Sequence, residues 1–337
     1  MKSPFETQKL AAKHVDPVVN LLGVIVAVTD EVPRVLVADH GDQCVLPNGP
    51  FDPSVHASLE AGLRQLIETQ TGLDLFYVEQ LYTFGNRYRD PREIDGGPRL
   101  VSITYIALTH EASIESDTVR WADWYSFLPW EDWRNGRPAL ISEMIEPSLG
   151  RWVQQASTAQ RRKDRQERRN VTFGDRASAE MDAVLSLERF ELLYEIGLVS
   201  EAERDALAAA RQSAPGDAEK TGNDLGTPMA LDHRRVLATA LGRLRGKLAY
   251  RPVVFELLPG EFTLLQLQRV AEALSGAKLH KQNFRRLVTN ADLVESVGRT
   301  TAVGRGRPAE LFRFRREVLG EKLTVGLSRP IMRKEGA

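Results

Sequence analysis

Residues 262–314 read FTLLQLQRVAEALSGAKLHKQNFRRLVTNADLVESVGRTTAVGRGRPAELFRF, and the order of parts in this stretch decides the fold of the C-terminal region. Thr263 is placed to cap a helix over 264–274, whose Leu264, Leu267, Val270, Ala271 and Leu274 recur at helical spacing to form one apolar stripe. Ser275 and Gly276 break it. A second helix over 280–290 buries Phe284, Leu287 and Val288, which leaves Gln282, Arg285, Arg286 and Thr289 on the opposite side. The segments 293–297 and 311–314 then alternate like paired strands, with Phe312 and Phe314 facing inward and Arg313 and Arg315 outward. Their connection, 298–308, holds Arg299, Arg305 and Arg307 among glycines. Helix, turn, basic helix and hairpin in this order predict a winged helix-turn-helix. On that reading Lys281, Gln282, Asn283, Arg285, Arg286 and Thr289 are candidates to meet base edges or phosphates in a major groove. Arg299, Arg305 and Arg307 are candidates for the wing, where glycine-bracketed arginines can enter a narrow minor groove.

Overall charge hides this expectation, because the 337 residues sum to a formal charge of −1. Residues 1–150 hold 12 Lys and Arg against 22 Asp and Glu, whereas residues 278–316 hold 10 against 3. Such asymmetry suggests one acidic part and one that meets a polyanion. The single cysteine, Cys44, excludes a disulfide within the chain. The first 20 residues mix charged and apolar side chains, so no signal peptide is expected, and no apolar run approaches the ~20 residues that span a bilayer. The expected location is cytoplasmic.

The first half alternates strand and helix signals. Strands are predicted at 21–28, 33–38, 45–47, 76–84, 100–108 and 119–127, with a helix over 53–71 whose Leu59, Leu63, Leu66 and Ile67 share a face and whose end is marked by Gly72. A helix among strands argues for a mixed sheet sandwiched by helices. The cluster of Trp121, Trp124, Trp130 and Trp133 reads as core and interface. Beyond it the charged run 161–169, RRKDRQERR, reads as a solvated helical connector, with a DNA-contacting arm as the other reading, and 180–197 and 201–211 read as helices. The segment 213–228 is expected to be a mobile loop, and 231–248 an amphipathic helix. The expected organisation is therefore a domain at 1–150, a connector at 151–229, a winged helix domain at 230–320 and a tail at 321–337.

Gly49, Arg64, Glu68 and Gly72 resemble parts of a Nudix box, in which clustered helix carboxylates hold divalent cations that activate water on a diphosphate. The adjacent acidic pair is missing. Anchored on Gly72 it falls on Thr69 and Gln70, and anchored on Arg64 on Glu68 and Thr69. Neither catalytic nor metal-binding residues are therefore predicted. QLYTFG at 80–85, RDPR at 89–92 and VSITYIAL at 101–108, together with YRPVVFELLPGEFTLLQLQRV, HKQNFRRLV and GRPAELFRFRREV, resemble the Nudix-related transcriptional regulator family, NrtR, and its NadQ-like branch.

The resemblance implies an α/β/α Nudix-like sandwich with a mixed sheet, a helical middle region and a C-terminal winged helix. It implies a non-enzymatic repressor of NAD biosynthesis genes that requires no cofactor and senses an adenine nucleotide: ATP, NAD or ADP-ribose. Arg87, Arg89 and Arg92 are the candidates to pair with a diphosphate, Tyr82, Phe84 or Tyr105 to stack on adenine, and Asn48 to line the same pocket. The expected partner is double-stranded DNA, met by a homodimer on an operator of two-fold symmetry. A Nudix hydrolase of a nucleoside diphosphate derivative with an appended nucleic-acid-binding domain is the alternative, and an RNA-binding or adaptor protein a third reading.

Overall fold

The computed structural model describes residues 16–41, 43–86, 90, 93, 96–114, 116, 118–174, 182–211, 225–250, 253–301 and 308–315. Its centre is a mixed seven-stranded sheet. β1 (Val18–Thr29), β2 (Val32–His40), β3 (Gln43–Val45), β4 (Asn48–Pro50), β5 (Tyr77–Phe84), β6 (Leu100–Leu108) and β7 (Val119–Asp123) take the order β3-β2-β1-β6-β5, with β4 paired to β1 and β7 to β2. β1 and β6 run parallel from Val18 opposite Leu100 to Val26 opposite Leu108, and the other pairs are antiparallel.

Alternation along β1 explains the layers. Leu21 and Ile25 join Leu36, Tyr105 and Ala107 on one face, beneath Leu63 and Ile67 of helix α1 (Leu59–Thr71). Leu22, Val24 and Val26 join Val35, Val37, Ile106 and Leu108 on the other face, beneath Trp124, Phe127 and Trp130. A sheet covered on both sides is the sandwich expected, and each fully buried aliphatic side chain contributes about 1.5–3 kcal/mol. Two glycines permit the close packing. A Cβ at Gly49 would lie 2.5 Å from Leu66, and one at Gly62 would lie 2.8 Å from His56.

Among the element boundaries that differ from the sequence reading, such as the helix expected over 180–197 that spans Ser186–Glu195, three have a local cause. The helix starts at Leu59 rather than 53, because the Asp52 carboxylate accepts from both the amide and the hydroxyl of Ser54 and holds 53–55 in a turn; Ser58 then caps the helix. The strand predicted at 119–127 stops at Asp123, whose carboxylate accepts from the Tyr125 amide at 2.9 Å and turns the chain into the short helix α2 (Trp124–Phe127). The strand predicted at 45–47 divides into β3 and β4, one on β2 and the other on β1.

Helices α3 (Glu146–Gln154), α4 (Ala159–Phe173), α5 (Ser186–Glu195) and α6 (Ser200–Arg211) form the middle region, α3 running through residue 150. The basic run lies in α4, where Arg165 stacks on Trp152 and Arg168 pairs with Glu195. Of the segment expected to be a mobile loop, residues 213–224 lie outside the described residues. Residues 225–228 are packed: Leu225 is buried and the Thr227 amide donates to Ser126 O at 2.8 Å. Helix α7 (His233–Tyr250) buries Leu237, Leu241, Leu244 and Leu248 as its stripe predicts. Helices α8 (Leu264–Ser275) and α9 (Lys281–Asn290) and strands β8 (Val294–Thr301) and β9 (Ala309–Phe314) complete the winged helix. One core runs from the sheet through α5 and α7 to α8 and α9.

Candidate nucleic-acid interface and nucleotide site

Helix α9 is built to show one polar side. Phe284 and Val288 are buried against the core while Lys281, Gln282, Arg285, Arg286 and Thr289 are exposed, and Asn283 is half-buried. Gln282, Arg285, Arg286 and Thr289 stand at i, i+3, i+4 and i+7, so they share one helix face. His280 begins the helix by accepting from the Asn283 amide. Among the described residues no carboxylate pairs with Arg285 or Arg286, so their guanidinium forks face solvent. Helix α8 supports α9 from behind. Thr263 and Gln266 form a reciprocal capping box at its start, and Gly276 closes it in the left-handed conformation at φ 70.

The hairpin β8–β9 packs through Phe314, whose ring stacks on Phe255 at 4.3 Å, and through Phe312, which exchanges backbone hydrogen bonds with Phe262. Its outward arginines carry partners: Arg299 pairs with Glu261, Arg313 with Glu295 and Arg315 with Asp292. Such exposed pairs are worth only about 0–1 kcal/mol, so Arg299 can exchange Glu261 for a phosphate at little cost. Arg305 and Arg307 lie outside the described residues.

In the first domain the side chains at the box positions are engaged in other hydrogen bonds. Gln70 donates from its side-chain amide to Asn48 O at 3.1 Å, and the Thr69 hydroxyl donates to Gln65 O at 2.7 Å. Glu60 is bound to Arg64, whose guanidinium also donates to Leu75 O. The donor set required by a divalent cation is thus replaced by groups that tie α1 to β4 and to its own turns. Among the described residues, no group of three or more His, Cys, Asp or Glu is arranged to hold a metal.

The candidate nucleotide residues fall in different places. Tyr82, at the sheet edge, is exposed, and its ring meets buried Phe84 edge-on at 5.1 Å. A bulge between Gln80 and Tyr82 in the pairing of β5 with β6 sets this register. Phe84 joins the core on the α7 side of the sheet, whereas Tyr105 is buried on the α1 side, where burial and the Glu60 charge push its phenol up. Tyr105 therefore does not share a pocket wall with Phe84. Asn48 closes its own loop by donating to Leu46 O at 2.7 Å. Arg87, Arg89 and Arg92 lie outside the described residues. Among the described residues beside them, Arg99 donates to Gly85 O at 3.0 and 2.8 Å and ties these two positions together. Sequence reading passed over Arg99, because a lone arginine beside Pro98 carries no pattern.

A second group that no motif announces is buried. Glu131, just before Trp133, binds Arg189 through both carboxylate oxygens at 2.6 and 2.9 Å, and also binds Arg245. Burial alone would raise its carboxyl, but the two guanidiniums hold it down at about 2. Ser186 donates to the same carboxylate at 3.1 Å, and Arg245 reaches Tyr125.

Comparison with known proteins agrees with these parts. Residues 254–314 match the family described as NrtR DNA-binding winged helix domain. A curated relative, the ADPR responsive transcriptional repressor NtrR of Acinetobacter baylyi, is 37% identical over 86 residues. That match covers 26% of this chain and 34% of the relative, so the chain aligns with about a third of the relative's length. The NrtR of Shewanella oneidensis complexed with a 27mer DNA superposes with a TM-score of 0.54 at 20% identity, covering 90% of this chain and 95% of that one. A MutT/nudix family protein of Enterococcus faecalis gives a TM-score of 0.50 at 16% identity, over 91% and 90% of the two chains. At these identities the likeness is one of fold. The chain thus joins a Nudix-like sandwich to an NrtR DNA-binding winged helix domain at residues 254–314, and it resembles the NrtR family of regulators.

Proposed function

We propose that the protein is a DNA-binding transcriptional repressor of NAD biosynthesis genes, controlled by an adenine nucleotide bound to its Nudix-like domain. The observation that carries this reading is the α9 face, where Gln282, Arg285, Arg286 and Thr289 stand exposed at the helix position that enters a major groove in this motif. The match of residues 254–314 to a DNA-binding family supports it. ADP-ribose is the first effector to test, since the Acinetobacter relative is named for its response to it; ATP and NAD follow. On this reading residues 1–150 sense, 151–229 connect and 230–320 read DNA, with Arg87, Arg89, Arg92, Tyr82 and Asn48 on the nucleotide. The protein acts in the cytoplasm as a homodimer on an operator of two-fold symmetry. On this reading the first domain works as a sensor rather than a hydrolase, because in either register of the box, Thr69–Gln70 or Glu68–Thr69, the adjacent carboxylate pair is incomplete.

A mobility shift with the full chain and duplex DNA from promoters of NAD-synthesis genes, with ADP-ribose, ATP and NAD titrated in, tests DNA binding, operator choice and effector identity together. The reading requires a retarded complex whose amount one nucleotide changes. Equal affinity for RNA of the same charge, or Mg²⁺-dependent turnover of ADP-ribose, would replace it with one of the other readings.

A further inference from the structure

The buried cluster around Glu131 brings three parts of the chain together. Glu131 and Tyr125 come from the end of the first domain, Ser186 and Arg189 from α5, and Arg245 from α7. The side chains of Glu131, Arg189 and Arg245 are at most 1% exposed. One carboxylate therefore meets two guanidiniums away from water, and the uncompensated cation needs other negative partners.

Backbone carbonyls supply them: Arg189 donates to Thr172 O and Asp182 O, Arg245 to Ala183 O and Glu131 O, and the last carbonyls of α8 add a further set. Arg245 Nε donates to Leu274 O at 3.2 Å, and the Tyr125 hydroxyl donates to Ala273 O at 2.7 Å. Carbonyls at a helix C-terminus lack intrahelical donors and carry the negative end of the helix dipole, so they suit a guanidinium. Gly276 seals the joint. Its φ is +70, a Cβ there would lie 2.4 Å from Glu131 O and 2.5 Å from Arg245 Nη2, and its carbonyl accepts from the Trp133 amide at 2.6 Å. The chain then passes to α9 after a short turn. Lifting α8 would leave Arg245 Nε and the Tyr125 hydroxyl without these acceptors and free two carbonyls together, so α8 and the first domain can move apart only by breaking these bonds and the Trp133–Gly276 bond at once.

We infer that Glu131, Arg245 and Tyr125 are positioning residues that fix α8 and α9 to the first domain, and that nucleotide binding changes DNA affinity through this joint. The inference rests on the proposed sensor-and-reader function. It is tested with the full chain carrying Tyr125→Phe or Arg245→Lys, on a duplex selected from a random pool by the wild-type protein. Three quantities are read: DNA affinity with and without saturating ADP-ribose, the thermal shift given by ADP-ribose alone, and amide exchange along α8 and at Trp133.

Both variants are expected to keep the thermal shift and to bind the duplex, while the ratio of DNA affinities with and without ADP-ribose falls at least about fivefold toward one. A ratio as large as that of the wild type, with the thermal shift intact, overturns the inference. Should ADP-ribose leave wild-type DNA affinity unchanged, ATP and NAD take its place in the same assay, and if neither changes that affinity the sensor reading and the coupling inferred from it both fall. The joint itself is then decided by exchange: faster exchange at 274–280 and Trp133 in Tyr125→Phe, with β1 and β6 unchanged, supports it, and wild-type exchange there overturns it.

Discussion

Single residues carry the distinction between reading DNA and merely being basic. Arg285 and Arg286 face solvent on α9, while Arg299, Arg313 and Arg315 are engaged with carboxylates. Replacing Arg285 or Arg286 by alanine should weaken operator binding by about 1–3 kcal/mol where the residue reads a base, and lower the log–log salt slope by ~0.9 where it meets a phosphate. Equilibrium binding at several salt concentrations separates the two. Glu131 makes a prediction of opposite character. Its carboxyl is depressed to about 2 in the fold, so its stabilisation is fully present above the ordinary value of 4.5 and is lost as pH falls from there toward 2. Urea unfolding of wild type and Glu131→Gln between pH 7 and pH 2.5 should show a gap of roughly 3 kcal/mol that narrows with acid. A gap independent of pH would mean that the carboxylate charge is not what holds the cluster.

At the scale of elements, the capping box and the box helix set the terms. Thr263→Ala removes the side chain that receives the Gln266 amide, and should destabilise the protein by about 1 kcal/mol in thermal or urea unfolding. Gln70→Glu replaces a donor to Asn48 O by a second acceptor and should likewise destabilise, without giving hydrolysis of ADP-ribose, since Thr69 still leaves the pair incomplete. Phosphate release with Mg²⁺ is the check. Helices α8 and α9 were legible in the sequence because their apolar residues recur at helical spacing and Thr263 and Gly276 mark the ends of α8. The turn at 53–58 and the stop of β7 at Asp123 were not, since each depends on one aspartate bonding to its own neighbouring backbone.

The whole molecule shows why part of the candidate site escaped sequence reading. Glu131 lies 58 residues from Arg189 and 114 from Arg245, and nothing local to any of them marks the others as partners. The same holds for Phe84 and Tyr105, which look alike on neighbouring strands but enter opposite layers of the sandwich. The order of folds was legible because it is carried by periodicity and by the motif-bearing segments; the join between them was not, because it is made by long-range pairs. That join gives the account its physical content, since a core continuous from sheet to α9 leaves little room for the two ends to act independently. The most direct test is the equilibrium affinity of the full chain for duplex DNA from NAD-synthesis promoters, measured against salt with and without ADP-ribose, ATP or NAD. Binding is expected to fall steeply with salt and to change at least about fivefold with one nucleotide. Binding that is insensitive to all three nucleotides, or no preference for such DNA over RNA of equal charge, would contradict that expectation.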